Sequence, residues 1–170
     1  MEKGTIQAYC GYGKGKSAAA LGSAVREADS GGNCIIIQFM KKRDAETGDF
    51  IRKMEPEIRI FHFQKYNELY DDLSEEQKAE SRMGMKNGLN YAGKVMNTRE
   101  CSLLILDEVL GLIEKKIIEP SELVRLIGQK PVSMSLILTG RVLDDEIRPL
   151  VDEVFRIEEE SAGAYGSSLC

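Results

Sequence analysis

Most of the chemistry legible in this 170-residue chain sits in one short run, Cys10-Gly11-Tyr12-Gly13-Lys14-Gly15-Lys16-Ser17, placed between an apolar stretch and an alanine-rich one. Glycines let backbone N–H groups curl around an anion. A helix starting behind such a loop points its positive end at the same place. Lys16 would neutralise phosphate charge and the Ser17 hydroxyl would ligate Mg²⁺. The chemistry expected is therefore polyphosphate binding, with Gly11, Tyr12, Gly13, Lys14, Gly15, Lys16, Ser17 and Ala18 as the cradle. The spacing follows the P-loop pattern G-x-x-x-x-G-K-S/T, except that Cys10 stands where the pattern has glycine. Gly11 and Gly13 are expected to supply the permissive backbone instead. A glycine-rich strand-to-helix turn without a ligand is the structural alternative, and Gly-Lys-Gly-Lys-Ser is hard to explain on it.

A second run, Leu103-Leu104-Ile105-Leu106-Asp107-Glu108, passes from apolar residues to paired carboxylates. It reads as a buried strand ending where open α/β sheets bind ligands. Asp107 and Glu108 are expected to reach Mg²⁺ directly or through water; taken without the loop, they would read first as helix-capping acids. Thr139-Gly140-Arg141 follows another apolar run. Arg141 is expected at the same edge, holding phosphate with its planar fork, with a surface salt bridge as the alternative. Gln38 and Lys41, in Gln38-Phe39-Met40-Lys41-Lys42-Arg43, are candidate polyphosphate contacts set against a plain solvated loop. Tyr66 and Tyr70 are candidates to cover a ligand, set against ordinary exposed loop tyrosines. His62, the one histidine, is expected in or beside a strand as a satisfied polar residue.

The elements that must position these groups alternate. Residues 5–9, 34–39, 57–63, 102–106, 133–138 and 153–157 read as strands, and residues 17–28 as an alanine-rich helix. Ser74-Glu75-Glu76-Gln77 is a capping box opening a long helix, whose apolar face shows at Met85, Leu89, Ala92 and Met96. Pro120 sits at the first turn of another helix, and residues 144–150 suggest one more. This alternation predicts right-handed βαβ units and a mostly parallel sheet covered on both faces. Residues 1–157 are expected to form a single nucleotide-binding domain, with residues 158–170 as a flexible tail.

Composition narrows the classes. Hydrophobic residues make up 42% and charged residues 30% of the chain, which excludes whole-chain disorder and a disulfide scaffold. The net charge of −5 argues against a broad nucleic-acid footprint. No apolar run approaches the roughly 18 residues of a membrane span. Cys10, Cys34, Cys101 and Cys170 show neither a C-x-x-C pair nor zinc spacing, as expected of a cytoplasmic protein.

Four pieces together resemble the CobA/CobO/BtuR family of corrinoid adenosyltransferases. They are Gly11-Tyr12-Gly13-Lys14-Gly15-Lys16-Ser17, Ile37-Gln38-Phe39-Met40-Lys41, Leu104-Ile105-Leu106-Asp107-Glu108 and Leu136-Ile137-Leu138-Thr139-Gly140-Arg141. The resemblance implies a P-loop NTPase-like (RecA-like) three-layer sandwich and a homodimer. It also implies a transferase that moves the 5′-deoxyadenosyl group of ATP to the cobalt(I) of a corrinoid, with Mg²⁺, releasing triphosphate. Lys16 and Arg141 would then act on the leaving group, Ser17, Asp107 and Glu108 would hold the metal, and Tyr66 and Tyr70 would meet the corrinoid. The chain departs from the family in two places. Phe63-Gln64-Lys65-Tyr66-Asn67-Glu68-Leu69-Tyr70 replaces an aromatic Gly-Phe segment, and Arg156-Ile157-Glu158-Glu159-Glu160 replaces a Lys-His segment with a basic tail. A divergent ATP-binding paralogue and a small P-loop kinase or phosphohydrolase remain the alternatives.

Overall fold

The structure is a computed structural model that describes residues 2–40 and 51–161. Short apolar runs become strands: β1 (Ile6–Cys10), β2 (Cys34–Gln38), β3 (Ile58–His62), β4 (Leu103–Asp107), β5 (Ser135–Thr139) and β6 (Glu153–Arg156). They pair in one sheet in the order β3-β2-β4-β5-β1-β6, every pairing parallel. Parallel neighbours need crossover connections. Helices α1 (Lys16–Asp29), α2 (Glu75–Thr98), α3 (Val109–Glu114) and α4 (Pro120–Ile127) lie within those connections.

Alternation along the strands assigns each residue to a face. Tyr9, Ile36, Ile105 and Ile137 pack on one side with Ala20 and Ala24 of α1. Ala8, Ile35, Leu104, Leu106 and Leu138 pack on the other with Met85 and Met96 of α2, Leu110 of α3 and Leu123 of α4. The central strands are therefore apolar on both faces, as a covered parallel sheet requires. The result is a three-layer α/β fold, and the sheet is wholly parallel where a mostly parallel one was expected. No helix among the described residues is long and apolar enough to cross a membrane.

Local signals explain the start of α2. The Gln77 amide donates to Ser74 Oγ at 3.2 Å, and the Ser74 amide donates to Gln77 Oε1 at 3.0 Å. Both halves of the capping box thus satisfy amides that the helix itself cannot. On its inner face Met85, Ala92 and Met96 are fully buried, and Leu89 packs partly buried against them.

The helix expected over residues 144–150 is not formed; only Arg148–Leu150 makes a single 3₁₀ turn. Pro149 cannot continue a helix because it lacks an N–H and crowds the preceding turn. Asp144 also competes with helix formation, its Oδ1 accepting from the Glu146 amide at 2.8 Å, an Asx-type alternative to helical pairing. The basic run at residues 41–43 and the end of the chain from residue 162 lie outside the described residues.

Cys34 and Cys101 are buried near the starts of β2 and β4. Burial is the main cause lifting the Cys34 thiol far above its ordinary range, and it pushes Cys101 up to about 12. At pH 8 neither holds appreciable thiolate, the reactive form. Both are expected to resist alkylation in the native protein and to react readily once it is unfolded in urea, read by mass spectrometry. Leu104→Ala, which empties a fully buried site in a central strand, is expected to cost about 2–5 kcal/mol in urea unfolding.

Candidate functional site

Because every strand runs the same way, the loops after β1, β2, β4 and β5 all emerge at one edge of the sheet. Register sharpens this. Gln38 lies beside Asp107, Leu106 beside Leu138 and Tyr9 beside Thr139. Gln38, Asp107 and Thr139 are thus brought level at the last rung of three adjoining strands.

The loop after β1 is shaped by contacts with the segments that follow β5 and β6. The Gly11 amide donates to the Arg141 carbonyl at 2.8 Å, the Gly13 amide to the Ile157 carbonyl at 2.9 Å, and the Ile157 amide to the Cys10 carbonyl at 2.8 Å. Farther out, the Tyr12 amide lies 3.4 Å from Glu158 Oε2. Gly11 has a φ of 107°, and a Cβ there would sit 2.3 Å from the Ile157 carbonyl oxygen; no other residue fits both demands. The amides of Gly11 and Gly13, expected to face an anion, instead donate to the chain's own carbonyls. Cys10 explains the missing glycine of the motif. It is the last residue of β1, and its side chain is fully buried in the core.

The second half of the loop opens α1. Gly15, at φ 103°, is its N-cap and offers no side-chain cap, and the first turn carries no acidic residue. The positive end of the helix is therefore not neutralised from its own sequence. Residues Tyr12 to Ala18, with Met40, Glu108 and Arg141, line a cavity of about 550 Å³. The Lys16 ammonium is held over the loop, donating to the Gly13 carbonyl at 2.7 Å. Tyr12 is largely exposed beside it.

Asp107 is only 2% exposed and is surrounded by donors. Ser17 Oγ donates to its Oδ1 at 2.9 Å, Thr139 Oγ1 to the same oxygen at 2.7 Å, and Gln38 Nε2 lies 3.4 Å from Oδ2. The donor set of Ser17, Asp107 and Glu108 is all hard oxygen. It suits Mg²⁺, which takes a few protein oxygens and completes its shell with water and phosphate. Among the described residues no group of three or more His, Cys, Asp or Glu forms a closed cage.

The structure brings the loop, Glu108 and Arg141 around one cavity and ties Gln38 to Asp107. Tyr66 and Tyr70 do not line that cavity. They lie on the connection between β3 and α2, where Tyr66 donates to Glu80 and Arg82 Nη1 donates to the Tyr70 hydroxyl at 3.1 Å. Lys65 also bonds Glu80 at 2.7 Å, and these partners hold the Glu80 carboxyl below its ordinary range. His62 closes β3, in the strand position expected of it. Lys41 lies outside the described residues. Sequence reasoning gave no role to Thr139, Met40 or the Ile157–Glu158 backbone. The only signal for Thr139 was a hydroxyl ending an apolar strand.

The ATP:corrinoid adenosyltransferase BtuR/CobO/CobP family model matches residues 2–163. The chain is 29% identical over 164 residues to a corrinoid adenosyltransferase of Sinorhizobium sp., covering 92% of this chain and 73% of that one. It is 24% identical over 153 residues to the corrinoid adenosyltransferase of Escherichia coli K12, covering 90% and 76%. In fold it is similar to a KaiC-like protein of the hyperthermophilic archaeon Pyrococcus horikoshii, with a TM-score of 0.63 at 18% identity over 94% of this chain and 76% of that one.

Gly11→Ala is expected to cost about 1–3 kcal/mol through backbone strain and to loosen the seam with Ile157. The measurements are urea unfolding and a faster hydrogen exchange of the Gly13 amide.

Proposed function

Because the chain belongs to the ATP:corrinoid adenosyltransferase BtuR/CobO/CobP family, we propose that it transfers the 5′-deoxyadenosyl group of ATP to the cobalt(I) of a corrinoid substrate. Cobalt(I) supplies the electron pair that forms the cobalt–C5′ bond. The C5′–O bond breaks, its pair leaves with triphosphate, and the metal of the substrate rises by two in oxidation state. No protein nucleophile is needed. The protein has to hold C5′ in line and to stabilise the charge that builds on the departing triphosphate.

The observation that carries this reading is the cavity shared by the loop, Glu108 and Arg141 beside the buried Asp107. In it, residues 14–18 at the positive end of α1 bind the triphosphate. Lys16 and Arg141 face it as fixed cations, and the planar fork of Arg141 limits its orientation. Ser17, Asp107 and Glu108 hold Mg²⁺, which when bound screens phosphate charge and polarises its oxygens. Gln38 keeps Asp107 turned toward the loop. Tyr66 and Tyr70, anchored to α2 through Glu80 and Arg82, take the corrinoid side. The homodimer implied by the resemblance belongs to the same proposal.

The test is incubation of the full chain with ATP, Mg²⁺ and a chemically reduced corrinoid in the dark without oxygen. A light-sensitive adenosylcorrinoid spectrum with one triphosphate per adenosyl group is expected. ADP or inorganic phosphate as product would favour kinase or phosphohydrolase chemistry. ATP binding with no spectral change would favour a paralogue that binds nucleotide only. Lys16→Ala removes a charged phosphate contact worth about 1.5–3 kcal/mol. ATP affinity in calorimetry is expected to fall by roughly ten- to a hundredfold, with the circular dichroism of the fold unchanged.

A further inference from the structure

We propose that Thr139 is a positioning residue that sets both metal-holding carboxylates at once. It ends β5, the strand lying between β4 and β1, and it is fully buried. Its hydroxyl is used twice. It donates to Asp107 Oδ1 at 2.7 Å and accepts from the Glu108 amide at 2.8 Å. A hydroxyl has one proton to give, so donation to Asp107 fixes its rotation and turns a lone pair to the amide. The β-branched side chain restricts the χ1 that aims it.

The two bonds act on different residues of the pair. The first turns the Asp107 carboxylate so that Oδ1 also receives Ser17 Oγ at 2.9 Å. The second holds the backbone of Glu108, which has a φ of 64°, a left-handed conformation uncommon for a residue with a side chain. That turn brings Glu108 to the wall of the loop cavity while Asp107 stays in the sheet. Thr139 thereby fixes one carboxylate by its oxygen and the next by its main chain. Neighbours that orient ligands in this way typically carry a 10- to 100-fold effect on metal affinity.

The proposal rests on the reading of the loop as an ATP–Mg²⁺ site, and the experiment separates the two. ATP binding to the full chain is measured by calorimetry in magnesium and again in EDTA, for the wild type, Thr139→Val and Thr139→Ser. Thr139→Val keeps the shape and removes the hydroxyl. It is expected to lose about tenfold or more of the affinity in magnesium and to match the wild type in EDTA, and Thr139→Ser is expected to restore the magnesium value. Thr139→Ala serves if the valine variant does not fold by circular dichroism. Equal affinity of wild type and hydroxyl-free variant in magnesium overturns the proposal, as does an equal loss in magnesium and in EDTA. A wild type that binds ATP no better in magnesium than in EDTA overturns it too. A wild type that binds no ATP at all overturns the nucleotide reading itself.

Discussion

A carboxylate buried at the end of a strand has to be met by donors, since burying it bare costs several kcal/mol. At Asp107, 2% exposed, donors among the described residues come from three different elements. Ser17 reaches in from the first turn of α1, Thr139 from the end of β5 and Gln38 from the end of β2. None is close to Asp107 in sequence. Satisfying this one side chain therefore fixes where a helix begins and where two strands stop. The loop cavity takes its outline from those same positions.

Strand order makes the convergence possible. β1, which carries the loop, and β4, which carries Asp107, are not neighbours; β5 lies between them. Strands about 4.8 Å apart leave roughly 10 Å between the two. The loop must arch over the end of β5 for Ser17 to reach Asp107, and Thr139 fills the space beneath the arch. An antiparallel strand in that place would send its following loop to the far edge and leave no Arg141 beside the cavity. Covered faces are the other half of the requirement. The apolar runs of β2 and β4 can be continuous only because α1 packs on one side and α2, α3 and α4 on the other.

The strands and the long helix were legible because their signals are local. The capping box at Ser74 and the stripe at Met85, Ala92 and Met96 carry their meaning within a few turns. The strand ends were read one residue short at Asp107 and Thr139, where apolar character gives way to polar while the ladder continues, and at Cys10, which was read as part of the glycine-rich loop. Residues 144–150 misled in the opposite direction: their charged and apolar residues suit a helix, yet Pro149 and the Asp144 side chain offer better local pairings. That Lys16, Ser17, Glu108 and Arg141 line one cavity was legible because each stands in a run whose neighbours announce a strand end or a loop. The loss of the Gly11 and Gly13 amides to Arg141 and Ile157 was not legible. Those bonds join residues more than a hundred positions apart, and nothing in Arg156-Ile157-Glu158 marks its backbone as a partner.

That same seam ties the timetable of synthesis to the geometry of the site. The run from Cys10 to Ser17 leaves the ribosome well ahead of the carbonyl that holds Gly13, which belongs to Ile157 and follows β6. A growing chain cannot settle this loop until β6 and Ile157 have emerged. Of the segments that build the site, the first to be translated is among the last to acquire its shape.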